Sequence, residues 1–292
     1  MQKYILFVFL ISISNLVFSQ QELITAEDSL VTQYNSILDS ENDEDRNAAH
    51  ELFYKTLKQS LVLNGAFEYS FDKLITISKL QPDDQSFRVF TWNLQNDAGS
   101  HRFYGLVQFN PKETKSKTEK IIELVNQQGV LEKTENKSFT ATKWPGAVYY
   151  ELIPFKKGGT TYYTVAGWRG FDTGLTQKIL DVIVVQGESI KFGYPLFKMK
   201  GRTQRRVVFT FSGKVSMLLF YDEKNKRFVF DHLAAQNNIV TENFRFYGPD
   251  GSYDAFLKDK KVWLFEPKYD ARNSDRNSDL FYNPVTNPDV EK

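Results

Sequence analysis

Cysteine is absent from all 292 residues, and that single absence closes off several kinds of protein. No disulfide can staple the fold, so stability must come from packing. Thiolate nucleophiles and thiolate metal sites are excluded. No cysteine follows the N-terminal segment to carry a lipid anchor. An excess of one charge is also missing: 37 Lys and Arg stand against 36 Asp and Glu, a net charge of +1. That balance argues against nucleic acid, whose binding rests on clustered cations facing phosphates. It gives no reason to expect adhesion to an anionic membrane. Histidine is scarce, at three residues. His50, His101 and His232 never stand three or four residues apart, so no helical zinc motif exists. Neither a Gly-x-Ser-x-Gly elbow nor a glycine-rich phosphate loop followed by Lys-Ser/Thr occurs.

Long hydrophobic runs are missing too, with one short exception. Lys3 precedes the apolar stretch Tyr4–Val17, and Val17-Phe18-Ser19 offers a short side chain at a cleavage point before polar Gln20-Gln21-Glu22. A basic end, an apolar centre and a small residue at the boundary define a secretory signal peptide over residues 1–19. The run is too short for a membrane span, which needs about 20 apolar residues. The expected mature chain is exported and has no transmembrane segment. Loss of Lys3 leaves it with 36 basic and 36 acidic residues.

Aromatic residues, by contrast, are abundant at 15%. They favour strands and bury large areas, so a β core rich in Phe and Tyr is expected. Leu23, Leu30, Tyr34, Ile37 and Leu38, then Ala48, Leu52, Phe53, Leu57 and Leu61, recur at helical spacing around acidic Asp39–Asp45. Residues 20–80 therefore read as a helical region: two antiparallel helices across an acidic loop, and a short helix or turn at Phe71–Leu80. From Gln85 the pattern turns to strands. Phe87–Leu94 pairs with Arg102–Phe109, and Lys120–Asn126 is read as a strand. Gly129–Thr142 is irregular. Hairpins follow at Val148–Phe155/Thr160–Trp168, Lys178–Val185/Ser189–Lys198, Arg205–Phe211/Val215–Tyr221 and Tyr253–Leu257/Val262–Phe265. The expectation is a mainly β, α+β chain. A helical pair leads into an antiparallel β meander over residues 85–268, as a sandwich, an open barrel or an irregular propeller, and residues 269–292 form a polar tail.

Trp144-Pro145-Gly146-Ala147-Val148-Tyr149-Tyr150, Tyr162–Trp168, Phe192–Phe197, Val229–Leu233 and Tyr247–Asp254 together resemble a secreted, periplasmic family of Bacteroidetes bacteria. The likeness covers most of the mature chain. It implies a periplasmic or envelope setting in a double-membrane bacterium, and it brings no activity with it. Such bacteria often export proteins through a conserved C-terminal β domain, and the tail here does not look like one. Periplasmic residence is thus expected over release.

Several constellations invite a chemical reading. Phe171-Asp172-Thr173-Gly174 matches the centre of an aspartic-protease signature, but that chemistry needs two such carboxylates and no second copy exists. Asp39, Glu41, Asp43 and Asp45 alternate like a calcium loop, yet Glu44 and His50 stand where Gly and Glu are required. Asp250-Gly251-Ser252-Tyr253-Asp254 could gather oxygen ligands, and equally forms a turn. His232 follows Phe228 and Phe230 at period two and is expected at the rim of the sheet core. Trp168, Arg169 and Asp172 fall at a strand-to-loop mouth, where they could stack on and hydrogen-bond a sugar or a peptide. Asp28-Ser29-Leu30 resembles a short acceptor for O-linked sugar, and Asn136-Lys137-Ser138 fits a sequon.

No catalytic residue, metal ligand or cofactor is assigned. The candidate ligand-binding residues are Trp168, Arg169, Asp172, His232, Tyr247, Asp250, Tyr253 and Asp254. The leading expectation is a non-catalytic envelope module that binds a protein partner or a glycan. One alternative is a periplasmic glycan hydrolase using two of Asp172, Asp231, Asp250 and Asp254. The other is an assembly factor that meets its partner through the N-terminal helices.

Overall fold

The structure is a computed structural model. It describes residues 2–127, 129–172, 174–235 and 243–270, without the side chains of residues 2–18 and of Asp172. Two compact units emerge, Met1–Trp92 with Gly105–Leu124, and Asn93–Tyr104 with Val125–Lys292.

The first unit begins with the helical pair α1 (Gln2–Leu38) and α2 (Asp43–Ser60). Leu30, Tyr34, Ile37, Phe53 and Leu57 are buried, as the helical spacing requires. The acidic loop is shorter than expected. Asp43, Glu44 and Asp45 form the first turn of α2, and the Asn42 side chain accepts a hydrogen bond from the Asp45 amide at 3.0 Å. Carboxylates there oppose the positive end of the helix dipole. A four-stranded sheet follows in the order β1 (Ser78–Leu80), β2 (Phe87–Gln95), β3 (His101–Phe109), β4 (Lys120–Val125). Phe71–Leu80 is a series of turns that ends in β1, whose three residues pair with Val89–Thr91.

Inside this unit Arg88 is buried beside the rings of Phe67, Phe71 and Phe90. Its Nη atoms donate to the carbonyls of Ala66 and Tyr69, both at 2.6 Å, and its Nε and Nη2 to Gln108. A strand arginine thereby fixes the turns that follow α2.

The second unit holds β5 (Phe139–Thr140), β6 (Val148–Lys157), β7 (Thr160–Asp172), β8 (Leu175–Gln186), β9 (Ser189–Phe192) and β10 (Phe197–Met199). It continues with β11 (Arg202–Gln204), β12 (Val207–Ser212), β13 (Leu219–Asp222), β14 (Arg227–Ala235), β15 (Tyr247–Lys258) and β16 (Trp263–Glu266). One sheet runs β5-β9-β8-β7-β6, with β12 also on β8; the other runs β11-β10-β16-β15-β14-β13. Among the described residues of this unit the strand ladders are antiparallel, except that of β10 with β16.

The two sheets share one apolar core, which makes this unit a sandwich. Phe155, Ala166, Leu180 and Val182 come from one sheet, and Phe197, Phe228, Phe230, Phe256 and Trp263 from the other. Trp263 is fully buried against Phe155, Tyr221 and Phe228, and its Nε1 donates to Thr164 Oγ1 in the facing sheet at 2.8 Å.

Two of the expected hairpins are revised. Lys178–Val185/Ser189–Lys198 ends early, because Phe197–Met199 leaves β9 to become β10 in the other sheet. Arg205–Phe211/Val215–Tyr221 is not a hairpin: β12 pairs with β8, whereas β13 pairs with β14 across the core. The crossing segment buries Met217 between the sheets, which is why an apolar run follows Ser212-Gly213-Lys214. The β6–β7 and β15–β16 hairpins match their expected positions. In the first, Lys157 pairs with Thr160, so Gly158 and Gly159 alone make the turn, at φ of 57° and 77°. Residues 271–292 of the expected tail lie outside the described residues.

Candidate functional site

The stretch before β6 carries little regular structure among the described residues, and it is held from beneath by buried polar side chains. Arg169 on β7 is 2% exposed. Its Nε donates to the carbonyls of Pro145 and Gly146 at 3.0 Å each, and its Nη2 to that of Gln127 at 3.3 Å. Gln177 on β8 accepts from Leu131 N and donates to Leu131 O. Arg206, just before β12, donates from Nη1 to the carbonyls of Thr134 and Lys137 at 3.0 Å each. Its other nitrogens grip Asp181 on β8 at 2.8–3.1 Å, and both side chains are fully buried. Gly193 passes so close that a Cβ there would fall 2.8 Å from Lys137 O, and its φ is +92°. Desolvation is the cost of such an arrangement: burial alone lowers the Arg169 guanidinium to about 10.

The result is a groove of about 610 Å³, open to solvent. Asn126 and Gln127 line it together with Lys137, Ser138, Phe139, Thr142 and Lys143. One lip is Asn126–Gln127, bridged to Trp144 by Gln127 N to Trp144 O at 2.7 Å, and held through Gln127 O by Arg169. The other is Lys137–Phe139, held through Lys137 O by Arg206, whose guanidinium lies 4.6 Å from the Phe139 ring centre. Each lip thus has its own buried arginine. The volume lies within the range of small-molecule sites, roughly 300–1,000 Å³.

The residues singled out in the sequence go elsewhere. Trp168 is 5% exposed, in edge-on contact with His101 at 5.1 Å and with Phe103 at 6.0 Å. Trp168 and Arg169 are interior residues, with no surface to stack on a ligand. The partners of Arg169 are backbone carbonyls and an amide, not an acid. The Asp172 side chain and Thr173 lie outside the described residues. Next to them, a Cβ on Gly174 would fall 1.5 Å from Arg245 Nη1, so glycine makes room for the arginine at this turn.

The other candidates do come together, at an irregularity between β14 and β15. Asp231 faces Tyr253 and Leu233 faces Pro249, so one residue of β14 opposes three of β15 and Asp250-Gly251-Ser252 bulges out. Asp250 Oδ1 accepts from Ser252 N and Oγ, which holds its carboxyl below the usual range, aided by nearby His232. His232 is half-exposed, and its Nδ1 lies 2.8 Å from Oδ2 of buried Asp254. The second Asp254 oxygen accepts from Lys268 N. Tyr247 is half-buried and touches Phe244, and the Tyr253 carbonyl accepts from Tyr269 N.

The carboxylates of this cluster are each held by hydrogen bonds. A general acid needs its carboxyl raised, and Asp250 is lowered. Asp231 is engaged by Leu218 N at 2.6 Å. Among the described residues no group of three acids or histidines is placed to hold a metal ion. In the first unit a further groove of about 510 Å³ runs between α1 and α2, lined by Gln21, Glu22, Thr25, Ser29, Thr56 and Gln59 among others. No helix among the described residues is long and apolar enough to cross a membrane.

Sequence reasoning missed the groove because its lining is contributed by residues of ordinary type from 126–127 and 137–143. One signal was available: an arginine within a strand, Arg169, and one at the entry to another, Arg206, mark carbonyls in need of donors. No family model, curated protein or solved structure matches the chain.

Proposed function

We propose that the chain is an exported envelope protein of a double-membrane bacterium, related to the Bacteroidetes family it resembles, and that its second unit binds a glycan without turning it over. One observation carries the binding reading: a ligand-sized groove whose two lips are each fixed by a buried arginine. Lips held before the ligand arrives lower the ordering cost of binding. The Gln127 amide, the Ser138 and Thr142 hydroxyls and the Phe139 ring suit a hydroxyl-rich ligand. Export is supported by the Lys3–Ser19 pattern of a basic end, an apolar centre and a short side chain at the boundary.

Two experiments test the reading. Expressed with its own N-terminus in a double-membrane bacterium, the protein is expected in the periplasmic fraction, starting at Gln20 by N-terminal sequencing. Full-length protein confined to the cytosol would overturn export. In a glycan array the wild type is expected to retain one class of oligosaccharide that a groove-filling Thr142→Trp variant does not, with both showing the same melting temperature. Equal retention by the two would overturn the groove as the site.

A further inference from the structure

Resting on the binding reading above, we infer that the groove takes an acidic oligosaccharide, whose carboxylates are met by Lys137 and Lys143. Two cations and no acid line it. The chain as a whole is balanced in charge, so this excess is local. Elsewhere Lys58 is paired with Glu123, Lys73 with Asp28 and Lys226 with Glu223. The Lys137 and Lys143 ammonium groups have no hydrogen-bond or ion-pair partner among the described residues. A ligand anion would therefore displace nothing but water.

The remaining lining decides between a bare anion and a saccharide. A small inorganic anion is best held by converging donors in a closed nest. Here the groove is open: the Gln127 amide offers both donors and an acceptor, and the Ser138 and Thr142 hydroxyls, bonded to Gly193 O and Thr140 Oγ1, keep lone pairs to accept, while the Asn126 amide is spent on Phe103 N, Gln127 O and Pro145 O. Sugar hydroxyls need both. Phe139 adds an apolar wall, backed by the Arg206 guanidinium. A lysine is a mobile point charge, suited to a carboxylate on a flexible chain.

Isothermal titration with a galacturonic-acid trimer, its methyl ester and inorganic phosphate tests the inference. The trimer is expected to bind, with affinity falling as salt rises. Lys137→Ala and Lys143→Ala should each weaken it about fivefold, at unchanged melting temperature, since exposed ion pairs are worth that order. Both side chains can go without loosening the lip, because Arg206 holds the Lys137 backbone carbonyl. The ester, with the same ring skeleton and no charge, should bind at least about fivefold more weakly. An ester as tight as the acid would overturn the acidic preference and leave the glycan groove standing. Phosphate as tight as the trimer would reduce the site to an anion site and overturn the saccharide. No binding of trimer or ester, together with an empty glycan array, would sink this inference and the reading beneath it.

Discussion

His101 shows how far burial alone moves a side chain. It packs against Trp168, its Nδ1 lies 2.9 Å from Asn93 Nδ2, and desolvation lowers it to about 4. The unfolded chain binds that proton near pH 6.5, so between about pH 6.5 and pH 4 unfolding takes up a proton that the folded state refuses. Stability should therefore fall as pH drops through that window, by about 2–3 kcal/mol at its lower end. Urea titrations across the window should show the fall in wild type and a flatter profile in His101→Gln. At Asp181 and Arg206 the cost is of another kind, since both charges are out of water. Arg206→Met leaves Asp181 buried and unpaired and should cost about 3–5 kcal/mol in denaturant unfolding. Arg206→Met with Asp181→Leu should recover much of that loss. The same accounting explains why Arg169 misled the sequence reading. A Trp-Arg pair leading into a loop looks like a ligand clamp, and although an arginine in a strand signals carbonyls in need of a donor, the linear string does not say that they are those of Pro145, Gly146 and Gln127.

Single elements were legible where one local rule dominates. Helical spacing placed α1 and α2, and alternation with a Gly-Gly pair placed the β6–β7 turn. The acidic run Asp39–Asp45 was harder to place, because acids are common both in loops and in the first turn of a helix; only the Asn42 cap decides. Asn42→Ala should lower stability by about 1 kcal/mol and Asn42→Gly by only a few tenths, read from thermal melts followed by circular dichroism. The β14–β15 irregularity was half legible. Pro249-Asp250-Gly251 signalled a turn, but the sequence could not show that a bulge there would bring Asp250 and Asp254 to His232.

At the scale of the molecule, a mainly β chain with a helical start could be read from aromatic content and periodicity. The way its sheets divide could not. Strands β12 and β13 are neighbours in sequence and strangers in space, and hairpin logic joins them by default. What separates them is a core that needs filling, and Trp263 sits at its centre. Trp263→Ala should cost about 3–5 kcal/mol and strip the second unit of its near-ultraviolet circular dichroism, since both sheets lose a shared wall. The grip on residues 127–146 has a different consequence, an evolutionary one. Arg169, Gln177 and Arg206 hold that strap chiefly by main-chain atoms, which every amino acid supplies alike. Exposed side chains along the lips are thus free to drift without unpicking the scaffold, and a library randomised at positions 127, 142 and 143 should keep the parent's fold while its tastes diverge.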